Sequence, residues 1–209
     1  MKTDKSLVVI GAGGFSAEVV DAAELAGWTV TALYDDDESA RGRVVMGRPC
    51  LGPISHFELG AQGTYIMAIG ANDVRLRIAA RLGAAGHRAV AVIDPRSAVS
   101  RSAEIGAGAY IAAGAFVGPQ VQVGQHVIVN VGVSVGHDAV IGDFSQLCPG
   151  ARVSGFAVLG EGAFMGSNAV LGPRGNMGEW SLLGAASFAN RAVAARVLAV
   201  GVPARSVAT

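Results

Sequence analysis

Few side chains in this protein can move a proton, hold an anion or attack a carbonyl, so the positions of those that can are informative. There are four histidines, His56, His87, His126 and His137, and two cysteines, Cys50 and Cys148. An imidazole titrates near neutrality, which suits it to acid–base work. His137 is followed directly by an acid, Asp138. The cysteines lie 98 residues apart, which offers neither a metal pair nor a disulfide framework. They read as small buried hydrophobes in a reducing compartment. Near the N-terminus the run Leu7-Val8-Val9-Ile10 enters Gly11-Ala12-Gly13-Gly14-Phe15-Ser16. This G-x-G-x-x-S turn is one Gly short of a dinucleotide fingerprint, yet its small residues let backbone N–H groups approach an anion at a helix N-terminus. Asp35 and Asp36 follow 22 and 23 residues after Gly13, the distance at which a Rossmann acid meets a ribose or a base.

These residues need elements to hold them. In the first half the apolar patterning predicts a strand at 7–10, a helix over 17–26 stopped by Gly27, and a strand over 29–34. A further strand at 65–69, a helix over 73–85 capped near Asn72 and a strand over 88–93 follow. Strand, helix, strand, strand, helix, strand argues for a small Rossmann-like α/β domain with a parallel sheet, over 1–95. It is too short to contain the second mononucleotide half of a nicotinamide enzyme.

The second half, 96–209, repeats with a period of six. Stepping from Val99 to Leu183, all fifteen residues are aliphatic, and each next residue, from Ser100 to Gly184, is Gly, Ala, Ser, Cys or Asn. Two positions before each aliphatic stands another small or β-branched residue. Neither a helix nor a plain strand has this period. It predicts a short strand and a turn, repeated, with the aliphatic inward. The small residue after it is expected to bend the chain at a corner, where Gly or Asn can take a positive φ.

Composition agrees with a narrow, repetitive core. Of 209 residues, thirty are Gly and thirty-seven Ala, while aromatics make up 6% and charged residues 15%. Disorder is excluded by the apolar content, and collagen by the lack of a period of three. A balance of 16 basic and 16 acidic residues leaves no electrostatic footprint for nucleic acid. No run approaches the roughly 20 apolar residues of a membrane span, and the start Met1-Lys2-Thr3-Asp4-Lys5 leads into an apolar run too short for a signal peptide. A cytoplasmic location is expected.

The hexads resemble those of left-handed parallel β-helices, in which three hexads form one triangular coil. Fifteen would give five coils without a break in register, a prism roughly 24 Å long at about 4.8 Å per stacked strand. A small α/β domain followed directly by hexads resembles one bacterial family, the nucleotide-sugar N-acetyltransferases of bacillosamine and perosamine type with the related sialic acid O-acetyltransferases. The residues that carry the likeness are Gly11 to Phe15, Asp35-Asp36, Ile69-Gly70-Ala71-Asn72 with Arg75, Val135-Gly136-His137-Asp138-Ala139-Val140-Ile141-Gly142-Asp143-Phe144, and the ending Gly201-Val202-Pro203-Ala204-Arg205.

The resemblance implies an acetyl-CoA-dependent N-acetyltransferase working by direct transfer, without a metal or a Ser or Cys nucleophile. It implies His137 as general base, Asp138 as the acid that raises its basicity, and Asn130 near the acceptor. Gly13, Gly14, Phe15, Asp35, Asp36 and Gly70 would hold the nucleotide sugar. Acetyl-CoA would lie near Gln146, Gly155, Ser167, Gly184 and Ala185, along the prism between subunits of a homotrimer, and the β-helix would end in a C-terminal cap. The sequence departs from the family at Phe15, where His is usual, at Gln146, where a second His is frequent, and at Ala17, where a basic residue is frequent. Asp138 replaces a Glu found in some members. Two other readings stay open: transfer to a hydroxyl of a sialic acid-like sugar, and a non-catalytic hexapeptide module that binds a nucleotide or a partner. The hexapeptide carbonic anhydrases need three His for zinc, and only His126 and His137 fall in the repeats. His126 is read as a surface residue, His56 and His87 as loop residues, and Trp180 and Phe188 as cap or trimer contacts.

Overall fold

The computed structural model describes residues 5–207. The reading of the first four residues therefore lies outside it. Contacts divide the chain into two compact units, Met1–Pro95 and Arg96–Thr209.

The first unit is built on β1 (Ser6–Ile10), α1 (Phe15–Leu25), β2 (Thr29–Tyr34), β3 (Val44–Val45), β4 (Arg48–Pro49), α2 (Ile54–Glu58), β5 (Thr64–Met67), α3 (Asn72–Ala84) and β6 (Arg88–Ala89). The main sheet has the order β2-β1-β5-β6 and is parallel throughout. β1 is central and apolar on both faces, as a parallel strand must be. On one side Ile10, Tyr65, Met67, Ile78 and Leu82 pack with Ile54 and Phe57 of α2. Three details differ from the sequence reading. Helix α1 starts at Phe15, two residues early, because the glycine turn ends sooner. The segment 88–93 is broken at Val90 and Ala91. The β3–β4 hairpin and α2 were not foreseen; each is too short to show a period.

The second unit is a solenoid of two-residue strands stacked in parallel, 18 residues apart, on three faces. One face runs through Tyr110–Ile111, Ile128–Val129, Gln146–Leu147, Phe164–Met165 and Leu182–Leu183. A second runs from Ala98–Val99 through Phe116–Val117, Ser134–Val135, Arg152–Val153 and Val170–Leu171 to Phe188–Ala189. The third runs from Glu104–Ile105 to Asn176–Met177. The hexad aliphatics point inward, and every one from Ile111 to Leu183 is buried. The small residues two positions earlier, among them Ala109, Ala139, Ala151, Ala157, Ala163 and Ala169, are fully buried too, which accounts for much of the alanine. Burying aliphatics against alanines makes a core too narrow for aromatics.

Two expectations about the repeat are corrected. The solenoid has close to six coils rather than five. Phe188–Ala189 extends the second face, and Leu198–Ala199 pairs on Leu182–Leu183. The last coil is short, since Met177 bridges Val193, 16 residues on, so its register is hidden from a strict count of six. A hairpin, Leu198–Gly201 with Ala204–Val207, closes the first face with an antiparallel strand.

The second correction concerns the corners. From Ile105 on, the positive φ falls three residues after each aliphatic, not one, and most of the residues there are not Gly: Gln120, His126, Asp138, Phe144, Phe156, Asn168, Arg174, Trp180 and Ala186 have φ between 54° and 59°. An L-residue in this region costs about 1–2 kcal/mol. Stacking offsets it. The N–H of each such residue donates to an acceptor in the preceding coil: Gln120 N–H to Ser102 Oγ at 3.1 Å, and the others to carbonyls, as Asp138 N–H to Pro119 O at 3.0 Å and Phe156 N–H to His137 O at 2.9 Å. The small residue after each aliphatic answers a different need. A Cβ on Gly142 would stand 2.6 Å from the Glu161 nitrogen, and one on Gly136 the same distance from the Gly155 nitrogen. Neither neighbour can yield, because both are backbone of the next coil. Gly142→Ala is therefore expected to destabilise the fold by about 1–3 kcal/mol, read as a lowered Tm.

His126 is buried, not a surface residue. Its left-handed corner turns the ring back over Gly108, whose missing Cβ makes room, and Phe144 stacks on it at 5.2 Å. His87 is buried as well: its Nδ1 accepts from Gly63 N–H at 3.1 Å, and its ring lies against Phe57. His56 is exposed on α2 rather than in a loop. Trp180 covers Gly162 in the preceding coil, and both cysteines are buried and free.

Candidate active site

In the first unit the glycine turn links β1 to α1. Gly11 needs to be glycine, since its φ is +105° and a Cβ would meet Ala68 O at 2.8 Å. Gly13 and Gly14 do not. Both are exposed, neither has a left-handed φ, and a Cβ on either would find nothing within 4 Å. Space kept open at positions where the chain itself does not require it is what a bound molecule would use. Asp35 shapes the turn, accepting from Ala12 N–H on Oδ2 at 2.7 Å and from Asp37 N–H on Oδ1 at 2.9 Å. Asp36 accepts from Ile54 N–H at 2.9 Å, at the start of α2. Both acids therefore hold loops, and both line a cleft of about 480 Å³ with Asp37, Glu38, Arg41 and His56. Arg41 was not singled out from the sequence, His56 was read only as a loop residue, and no motif marks either. Phe15 is half-buried at the start of α1. Gly70 is exposed after β5, held from behind by Arg75, whose Nη1 donates to the carbonyls of Ile69 and Gly70 at 3.0 Å each. Burial pushes the Arg75 guanidinium down to about 10.

In the second unit His137 and Asp138 form the corner between the second and third faces. Asp138 has φ 58°, and its Oδ2 lies 2.8 Å from His137 Nδ1. A carboxylate only accepts, so Nδ1 carries a proton, and in the neutral ring the lone pair is on Nε2. One coil on, at the same corner, lies Gly155; a Cβ there would be 2.8 Å from Nε2. The free nitrogen thus faces an opening that only glycine leaves.

The remaining residues stand at the corner between the first and second faces, not beside His137. Asn130 follows Val129, and its Oδ1 accepts from Val131 N–H at 2.7 Å. Ser167 and Ala185 are exposed and Gly184 half-buried, Ser167 two coils and Gly184–Ala185 three coils farther along that edge. Gln146 ends on the first face, its Nε2 3.7 Å from Cys148 Sγ. Burial holds the Cys148 thiol above its ordinary value, which makes it a poor nucleophile. Among the described residues no group of three or more His, Cys, Asp or Glu converges as a metal site.

The PglD N-terminal domain family matches residues 6–82. PerB from Caulobacter crescentus, solved in complex with CoA and GDP-perosamine, is 30% identical over 97% of each chain, with a TM-score of 0.92. The chain belongs to the nucleotide-sugar N-acetyltransferase family. The acetyltransferase domain of PglB from Neisseria gonorrhoeae, in complex with acetyl coenzyme A, is 29% identical over 98% of this chain and 100% of that one, with a TM-score of 0.90. WeeI from Acinetobacter baumannii is 25% identical over 96% and 99%, with a TM-score of 0.87. No curated protein sequence matches significantly. The family assignment makes the chain an acyltransferase and its solenoid a left-handed β-helix of the kind these enzymes share. Among the described residues no helix is long and apolar enough to cross a membrane.

Proposed function

We propose that the protein transfers the acetyl group of acetyl-CoA to the amino group of a nucleotide-linked amino-dideoxy sugar, with His137 as general base. The observation that carries this reading is the geometry of His137: Nδ1 lies 2.8 Å from Asp138 Oδ2, and Nε2 lies over Gly155. The amine nitrogen attacks the thioester carbonyl, and Nε2 takes the proton the nitrogen sheds. The tetrahedral intermediate then collapses, and the CoA thiolate leaves and is protonated. Structures of PerB with CoA and GDP-perosamine favour an amino sugar over a hydroxyl acceptor.

Residues 1–95 are assigned to the nucleotide sugar through Gly13, Gly14, Phe15, Asp35, Asp36 and Gly70. Residues 96–209 are assigned to the transfer, with Asn130 near the acceptor and Gln146, Gly155, Ser167, Gly184 and Ala185 along acetyl-CoA. These last residues are divided between two edges of one solenoid. A homotrimer supports a single site, because a second copy supplies the edge that the first lacks. Cytoplasm fits a chain with two buried free thiols and an acetyl-CoA substrate.

The test is CoA release over a panel of amino-sugar nucleotides beside free sialic acid. Turnover confined to amino-sugar nucleotides is expected; turnover only with hydroxyl acceptors overturns the amine assignment. Light scattering at micromolar concentration is expected to give three times the chain mass. Gly13→Ala is expected to raise KM for the nucleotide sugar about tenfold or more, with Tm unchanged, because its methyl would occupy ligand space alone.

A further inference from the structure

The corner that carries His137 continues as a column. His137-Asp138 is followed one coil later by Gly155-Phe156 and two coils later by Pro173-Arg174. Backbone bonds join them: Phe156 N–H donates to His137 O at 2.9 Å, and Arg174 N–H to Gly155 O at 3.0 Å. Phe156 and Arg174 share the left-handed corner conformation, with φ of 59° and 56°. That conformation turns each side chain toward the coil before it. The Phe156 ring meets the His137 ring edge-on, centroids 5.1 Å apart and planes at 89°. The Arg174 guanidinium lies over the Phe156 ring, 4.5 Å from its centroid.

His137 needs such a support. Its side chain is 59% exposed and its Asp138 partner 39% exposed, and a hydrogen bond to a carboxylate so open to water restrains a ring weakly. Turning the imidazole about its bond to Cβ carries Nδ1 away from Asp138, and a single water-exposed hydrogen bond opposes that turn only weakly. A perpendicular aromatic ring on the next coil blocks that rotation. A cation on the aromatic ring in turn restrains the aromatic. Phe156 is 43% exposed, so packing of the core does not account for a phenyl group at this corner.

We propose that Phe156, backed by Arg174, is a positioning residue that sets the plane of the His137 imidazole and so aims Nε2. The proposal rests on the reading of His137 as the base, but the column itself does not depend on that reading, and the two can be tested apart. In the free protein, the ¹⁵N spectrum of the His137 ring is expected to show one Nδ1-protonated tautomer. In Phe156→Leu it is expected to show mixed tautomers or exchange broadening. Phe156→Tyr, which keeps the ring, restores the single form, and Arg174→Met gives an intermediate result. In the transfer assay, Phe156→Leu is expected to lower kcat about tenfold with both KM values within twofold, and Phe156→Tyr to recover most of it. An unchanged ring spectrum in folded Phe156→Leu overturns the proposal. So does a rise in KM for acetyl-CoA at unchanged kcat, which makes Phe156 a wall for that substrate instead. A wild-type protein that gives the expected spectra but no transfer overturns the proposed function and leaves the positioning intact.

Discussion

Replacing His137 by Asn is expected to lower kcat about 10²–10⁴-fold, the share that a general base contributes to such a step. An amide cannot take a proton from the attacking amine, yet it is polar and close to isosteric with half of the ring. The His137 side chain is more than half exposed and the ring it meets, Phe156, is itself 43% exposed, so Tm and both KM values are expected to stay near those of the wild type. A loss of kcat alone is the mark of a group needed in the transition state and not for binding. Near-normal turnover in His137→Asn removes the base from the mechanism.

Gly155→Ala is expected to cost about as much as moving the base by an ångström, on the order of 10²-fold in kcat. The added methyl would stand 2.8 Å from Nε2 and 2.9 Å from Cε1 of His137. Of the groups in contact only the imidazole can yield, and in yielding it loses the 2.8 Å bond to Asp138. Gly155 has a backbone conformation open to any residue, so the fold tolerates the change and Tm is expected to hold. Activity falling together with Tm would mean a general repacking of the corner. Activity unchanged would mean that Nε2 does not face the reacting amine.

The period of six was legible because an inward aliphatic is obligatory at every strand of a narrow prism. Leu147, Met165 and Leu183 illustrate it: different residues, one chemical type, all fully buried. The position of the corner was not legible. Its positive φ is borne by residues as unlike as Gln120, Phe144 and Trp180, because the coil before supplies both a hydrogen-bond acceptor and a surface to cover. Sequence patterning records what each residue is and not what it stacks on. For the same reason His126 passed for a surface residue, and Phe156 and Arg174 went unnoticed beside His137. The short last coil escaped because two missing residues move Val193 and Ala199 out of register with the hexads. In the candidate site, His137 and Asp138 were found by their adjacency and their family likeness. The division of Asn130 and Ser167 from His137 emerges only once the chain is wound.

The hairpin that closes the first face has a consequence for solubility at high concentration. A solenoid of parallel strands ends in unpaired N–H and C=O groups, and an identical chain could dock there and continue the spiral without limit. The strand Ala204–Val207 runs against the others, pairing Leu198 with Val207 and Gly201 with Ala204. A strand of reversed direction cannot serve as the next rung of a parallel ladder. The hairpin thus ends the first face as well as covering it, and an identical chain cannot continue the parallel ladder on that face.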